Sequence, residues 1–460
     1  KAMILNGLGF VSAPLYMFSK FFEGIATEHL LGEGITAEQI NDDRIGKVLD
    51  DLQAKGLSEI FVGLSMKGVE KYGVKVETGH IDSTSFHVDG EYAKKEEGSI
   101  EITHGYSRDH RPDLKQFMMN LICVGDGDIP VMMEVVSGNQ ADKARFAGLL
   151  QEFKKQWTFE GICVADSALY SQENLVAMRG LKWLTRVPLS IKAAGSLVES
   201  ISTLVVSKLK GYSTLEILSE YGDISQRWIL VESQERLKSD LKKLAKRVSQ
   251  IQKNCQQSLN TLSGQDFACV ADAIAAAEKL SVKMKWHQLA DIQTVEKLHY
   301  QKAGKPKPDA IPTHVTYRIT ATVISIDSEI AAQRIRCGRF ILATNILDAD
   351  PFTADDALRE YKAQQSTERG FRFLKDPLFF TSSVFLKSAK RIEALGMIMA
   401  LCLLVYNLAQ RHLRLALAQA QETIPNQLGK PSSSPTLRWV FQCFMAVHLV
   451  SSHGLKHISN

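Results

Sequence analysis

At 460 residues the chain exceeds one ordinary domain and has room for a sizeable core. With 45% hydrophobic and 23% charged residues, it is not a disordered tail, a collagen-like repeat or a membrane-saturated chain. A net charge of +4 suits nucleic acid without demanding it, so motifs must decide function.

The seven cysteines are scattered, without CxxC or zinc-ligand spacing, and an odd number makes a poor disulfide framework. A reducing, intracellular setting is expected. The longest apolar run, Ala394 to Leu408, falls short of the roughly 20 residues a membrane span needs, which predicts a buried helix. No signal peptide is visible. The chain begins at Lys1 rather than at a methionine, from which a missing N-terminus is expected.

In chain order, residues 1–76 read as a helical domain, with a capping box at Thr36 to Gln39 and apolar residues Ile40, Val48, Leu49 and Leu52 at helical spacing. From Gly79 the pattern changes. "HIDSTSFHVDG" reads as a strand, followed by the strand-like runs "SIEITHGYS", "FMMNLICVG" and "IPVMMEVVSG", the last two joined by a tight turn at Asp126-Gly127-Asp128. A helix (Lys143 to Phe153), the strand "GICVADSA", a helix (Gln172 to Arg179) and the strand "LKWLTRVP" complete a first α/β segment, residues 77–190. Such an order implies a mixed sheet covered by helices.

Residues 191–335 interrupt it. Leu237, Leu241, Leu244, Val248, Ile251, Cys255, Leu259 and Leu262 recur in steps of three and four, the pattern of an amphipathic helix or a coiled-coil seam. Lysines and arginines at 236, 238, 242, 243, 246, 247 and 253 crowd its first half, as a DNA arm or the polar side of a coil. After the polar stretch "QKAGKPKPDAIP", strand patterns return at "HVTYRITATVISI" and "GRFILATNI". Residues 336–422 form the second α/β segment, with one long helix from Ala354 to Lys375 and an apolar helix over about 388–420. Residues 423–460 are a linker and a last helix, Leu437 to Leu449.

Three acids stand where chemistry can use them. Asp82 lies inside an apolar strand, Asp166 at the C-terminal mouth of another, and Glu368 on the helix after the last strand. Converging carboxylates repel one another and resist ionisation, and a divalent cation relieves that cost. Oxygen-only ligands select Mg²⁺, with Mn²⁺ as substitute, and two such ions suit in-line phosphoryl displacement. Singly, each aspartate also fits a turn or helix cap, and Glu368 a solvated helix face. A longer pattern sets them apart: in "YKAQQSTERGFRFLK" a single helix places Tyr361, Gln364, Glu368, Arg372 and Lys375 on one face.

These residues resemble the bacterial insertion-sequence transposases of the DDE type marked by Y-x2-R-x3-E-x6-K. Tyr361, Glu368 and Lys375 match, while Gln364 stands where the pattern has arginine, leaving Arg369 or Arg372 to replace its phosphate contact. "HIDSTSFHVDGEY", "HGYSRDHRPDLKQF" and "VADSALYSQENL" resemble the group's other conserved segments. The resemblance implies an α/β, ribonuclease H-like fold with an N-terminal helical domain and a large insertion before the last catalytic helix. It implies a catalytic, metal-binding triad of Asp82, Asp166 and Glu368 holding two Mg²⁺ ions. It further implies cleavage at terminal inverted repeats, strand transfer into target DNA, and a homodimer on double-stranded DNA in a bacterial cytoplasm, associated with the nucleoid and no membrane. Tyr361, Gln364, Arg372 and Lys375 are then DNA-binding residues, as are Arg108, Arg111 and Lys115 of the basic loop, which suits backbone phosphates.

Trp228 and Trp286 in the insertion read as core residues, with stacking on a flipped base as the alternative. His80, His87 and His104 lack metal-site spacing. Three rival readings stay open: a nuclease of the same fold that does not join DNA, a catalytically inactive DNA-binding relative, and an assembly protein built on a coil over 237–262.

Overall fold

The computed structural model describes the chain apart from residues 11–13, 93–95, 108–110, 141, 158, 302–310, 376–385, 446, 453–454 and 460. For 142–145, 365–369, 448–449, 451–452, 455–456 and 459 it describes the backbone but not the side chains. The chain divides into two compact units, one of residues 1–186, 218–228 and 342–460, the other of residues 187–217 and 229–341.

The first unit begins with short helices: α1 (Ala2–Gly7), α2 (Phe18–Phe21), α3 (Thr27–Leu31), α4 (Asp42–Ala54) and α5 (Leu57–Lys71). The predicted capping box at Thr36 is not one. Residues Ala37–Gln39 make a single 3₁₀ turn, and α4 starts at Asp42, where the Asn41 carboxamide accepts from Arg44 N at 3.0 Å. Asparagine at the true N-cap outcompetes the look-alike upstream.

Then come β1 (Thr78–Val88), β2 (Lys115–Val124) and β3 (Ile129–Ser137), α6 (Asp142–Gln156), β4 (Ile162–Ala165), α7 (Gln172–Ala177) and β5 (Lys182–Val187). Strands β1, β2 and β3 pair antiparallel, while β4 runs parallel to β1 and β5 parallel to β4. The resulting order β3-β2-β1-β4-β5 is the ribonuclease H-like arrangement that the resemblance implies. The Asp126-Gly127-Asp128 turn is present, with φ of +90° at Gly127 and +59° at Asp128.

The run 99–107 is not a strand. Only Thr103 bridges β2, through Gln116 N to its carbonyl at 2.9 Å. From Phe117 onward both edges of β2 are taken by β1 and β3, so the single ladder site beside it lies at Gln116.

Within the second unit lie α8 (Lys192–Ser200), β6 (Val205–Val206), much of β7 (Tyr212–Glu220) and of β8 (Ser225–Ser233), α9 (Gln234–Ser263), α10 (Val270–Lys283), β9 (His287–His299), β10 (His314–Ser325) and α11 (Asp327–Arg336). The predicted amphipathic helix is α9. The second half of its apolar stripe is spent inside this unit: Cys255 and Leu259 pack with Ala273 and Ala277 of α10 and with Leu289, Ile319 and Val323 of the β9–β10 hairpin. That use leaves no intermolecular seam there.

The first unit resumes through β11 (Arg339–Thr344), which lies beside β5. The helix expected from Ala354 to Lys375 is two helices, α12 (Ala354–Ala363) and α13 (Gln365–Leu374), meeting at Gln364. A reciprocal Thr353–Asp356 capping box starts α12. Helix α14 (Ala389–Ala420) packs against α1, α4, α5, α13 and β3. It is long and apolar enough to cross a membrane, but 83% of its most apolar window is buried inside the protein, as expected of a core helix. The last predicted helix is shorter than expected: α15 (Leu437–Cys443) gives way to a hairpin of β14 and β15 (His448–Ser452 and Leu455–Ser459), the small pair β12 and β13 (Ile424–Pro425 and Pro431–Ser432) having come before.

Candidate active site

The centre of the first unit is the seam between β1 and β4. Their parallel register pairs Thr78 with Ile162 and ends with Ile81 beside Ala165. Asp82 follows Ile81 inside β1, and Asp166 follows Ala165 just past the end of β4. The last paired residues therefore stand one position before each aspartate, on neighbouring strands about 4.8 Å apart.

Asp82 is buried, 8% exposed, and its Oδ1 accepts from Ser83 N at 2.8 Å. Asp166 is half-buried where β4 ends. Its Oδ1 accepts from Ala168 N at 2.8 Å, the turn-capping role open to any strand-end aspartate. Its carbonyl accepts from Thr185 Oγ1 at 2.6 Å. Thr185 is fully buried on β5 and fixes the backbone on which Asp166 stands. Sequence reading missed it, because a threonine between Leu184 and Arg186 in "KWLTRV" carries no local sign of such a brace.

Helix α13 lies along β1, held at two points. Gln364 Nε2 donates to the Ile81 carbonyl at 3.4 Å, and Lys375 Nζ sits 5.6 Å from the centre of the Phe86 ring. From 364 to 375 a helix advances about 16 Å, and from 81 to 86 a strand advances about 16 Å. The two elements therefore keep step. Glu368 is carried on α13 one turn beyond Gln364, and its side chain lies outside the described ones.

The remaining sequence-predicted residues are dispersed. Gln364 is 7% exposed and turned toward β1 rather than outward. Tyr361 and Lys375 are half-buried, while Arg372 is exposed. Arg111 forks onto Asp113, with Nη2 to Oδ2 at 2.8 Å, in an exposed pair worth little to stability. Lys115 donates to the Glu91 carbonyl. Arg108 lies outside the described residues. Trp228 and Trp286 are buried, and the Trp228 indole donates to Gln226 Oε1 at 3.1 Å, as core residues do.

Two residues before Asp82, His80 is almost fully buried, and burial pulls its imidazole down to about 4. Its Nε2 lies 3.9 Å from Glu360 on α12, whose carboxyl burial pushes up. At neutral pH this is a contact with an uncharged ring rather than an ion pair. Among the described residues no cluster of three or more metal-ligating side chains is assembled. The two aspartates nevertheless fit a hard divalent cation, since both offer only oxygen and each follows the last paired residue of adjacent strands.

A mixed sheet in the order β3-β2-β1-β4-β5, with an aspartate inside β1, another just past β4 and a flanking helix that carries a glutamate, marks the first unit as an α/β fold of the ribonuclease H-like order. The family model of the transposase DDE domain matches residues 77–405, and the chain belongs to that family, whose function is DNA transposition. A domain of unknown function (DUF4277) matches residues 1–66. No curated protein sequence matches. Among solved structures the chain is similar to a piggyBac transposase synaptic complex with hairpin DNA, at 9% identity, covering 96% of this chain and 70% of that one with a TM-score of 0.39. It is also similar to the Mos1 transposase paired-end complex with left transposon end, at 9% identity, 38% and 58% coverage and a TM-score of 0.17. The family model alone carries the assignment.

Proposed function

We propose that the chain cuts DNA at the ends of a mobile element and joins the freed 3′-hydroxyl to target DNA, with Asp82, Asp166 and Glu368 as its catalytic acids. The observation that carries this reading is the β1–β4 register, whose last pair, Ile81 and Ala165, immediately precedes Asp82 and Asp166. The step between the α13 anchors and β1 supports Glu368 as the third acid.

These three residues would hold Mg²⁺ or Mn²⁺, which when bound supplies activation of the attacking oxygen and neutralisation of the leaving one. The chain's own residues fix the acids beforehand. Ser83 N and Ala168 N each hold one carboxylate oxygen, and Thr185 holds the end of β4. Arg372, exposed on α13, takes a phosphate of the bound strand, and Tyr361 and Lys375 border that strand. Gln364 acts from within as a positioning residue, since its amide is spent on Ile81. The partners under this reading are terminal inverted repeats and target duplex, engaged by a homodimer at the bacterial nucleoid. Residues 1–76, 77–190, 191–335, 336–422 and 423–460 serve as the N-terminal domain, the two halves of the catalytic domain around the insertion, and the C-terminal linker with its helix.

The test is incubation of the protein with a plasmid carrying its native flanking DNA and Mg²⁺ or Mn²⁺, beside Asp166→Ala. Nicks at the element ends that vanish with EDTA and in the variant, followed by joined products, are expected. A folded protein that binds those ends and never nicks them would instead be an inactive DNA-binding relative. Nicking without joined products would mark a nuclease.

A further inference from the structure

The second unit carries a cationic surface that the acid site does not use. Helix α9 holds seven cations, at 236, 238, 242, 243, 246, 247 and 253, against two acids, Glu235 and Asp240. Both acids lie in its first two turns, and Asp240 accepts from Arg236 at 3.3 Å and from Gly338 N at 3.1 Å. From Leu241 to Ser263 the helix has no acid at all.

At 100° per residue Leu237, Leu241, Leu244 and Val248 form one edge, and the cations occupy the opposite half-turn. The apolar edge faces an inner cleft of about 780 Å³ lined also by Ile330 and Ala331 of α11. Lys238, Lys242, Lys243, Lys246, Arg247 and Lys253 are exposed. Lys238–Lys242, Lys242–Lys246 and Lys243–Arg247 are like-charge pairs at i,i+4, each of which weakens a helix. The second half of α9 shows the milder alternative, with the uncharged pairs Gln250–Asn254 and Gln256–Asn260 at 3.0 Å each. Beside the cations, Trp286 lies 5.2 Å from the Arg247 guanidinium and 4.9 Å from Lys285, in a smaller cleft bordered by Lys243 and Arg336. The indole holds Arg247 in place through its ring face.

We infer that this face of α9, with Lys242, Lys246 and Lys253 in one line, is a second DNA-contact surface that takes the phosphate backbone of duplex DNA. The inference rests on the DNA-processing reading of the chain. Charge complementarity selects the occupant. From Lys238 to Lys253 the helix runs about 22 Å, and duplex DNA carries one negative charge per ~1.7 Å of its axis. Ammonium groups on flexible stems bind phosphates as point charges without reading sequence.

The experiment measures binding of the full chain, without divalent metal, to a short labelled duplex of arbitrary sequence across a salt series. The wild type is compared with Lys242→Gln/Lys246→Gln/Lys253→Gln and with the matching triple arginine variant. Each phosphate contact contributes roughly 0.9 to the slope of log K against log salt, so the glutamine variant is expected to lose up to roughly 2.7 of it. The arginine variant keeps the slope. An unchanged slope in a folded glutamine variant overturns the inference and leaves the acid site untouched. The same slope with an altered oligomeric state assigns the face to protein contact and overturns it equally. A wild type that binds no duplex at all removes the DNA-processing reading with it.

Discussion

Gln364 donates its side-chain amide to the carbonyl of Ile81 at 3.4 Å. This contact joins the α12–α13 junction to the strand position just before Asp82. The Y-x2-R-x3-E-x6-K pattern that these residues resemble has arginine here, yet the site is buried and the shorter amide fills it. Gln364→Ala is expected to lower stability by about 1 kcal/mol, the net worth of a hydrogen bond to a buried carbonyl. Nicking should fall further than stability accounts for, by roughly 10–100-fold, as when supports of a metal site are lost. Denaturant midpoints beside nicking rates check this. Equal activity at saturating metal would reduce Gln364 to packing alone.

Gly396 lets α14 lie close against the sheet. A Cβ there would lie 2.6 Å from Val135 Cγ2 and 3.4 Å from the Met119 methyl. Gly396→Ala therefore overpacks this contact and should destabilise the protein by about 1–3 kcal/mol despite the better helix propensity of alanine. A thermal melt decides the sign.

Asp126 and Arg411 form a two-pronged pair at 2.8 and 2.7 Å, and Arg411 also donates to the carbonyls of Tyr72 and Gly73. The Arg411 guanidinium holds the Asp126 carboxyl below its usual range, with Lys75 N adding to the effect. A depressed folded-state value means stability that is present above the unfolded carboxyl's range, near pH 4, and that fades as pH falls through the folded value. Arg411→Ala should cost about 2–4 kcal/mol at pH 7, since its partner and two carbonyls are left behind. The gap between variant and wild type should narrow at pH 3. Urea midpoints at the two pH values read it directly, and a constant gap would refute the electrostatic share.

Of the seven cysteines, Cys269 and Cys443 are exposed, while Cys123, Cys163, Cys255, Cys337 and Cys402 are buried. Burial pushes the Cys163 thiol up to about 12. A disulfide reagent should label Cys269 and Cys443 quickly in the native protein and the others only on unfolding. Fast labelling of Cys163 would show that β4 opens readily beside Asp166.

Much of this was legible in the chain. β-Branched runs with a Gly-containing turn located β1, β2 and β3, and the strand-end position singled out Asp166. Registration was not legible: that β1 and β4 run side by side and end their pairing just before Asp82 and Asp166 follows from hydrogen bonds between strands far apart in sequence. The split at Gln364 carries no proline or glycine to announce it, because the tie to Ile81 is tertiary. The run 99–107 alternates like a strand, yet finds no open edge on β2 beyond Gln116. Glu368 is singled out only by its spacing to Tyr361 and Lys375, since a lone helical glutamate gives no local sign of chemistry.

The tie between Gln364 and Ile81 also sets a timetable. A ribosome completes β1 early and must translate the whole second unit before residue 364 emerges. Until then the Ile81 carbonyl lacks that donor, and α13, with the proposed third acid, does not yet exist. A chain whose synthesis stops short of α13 lacks both the proposed third acid and the core helix α14, and so lacks the means to cut under the proposed chemistry.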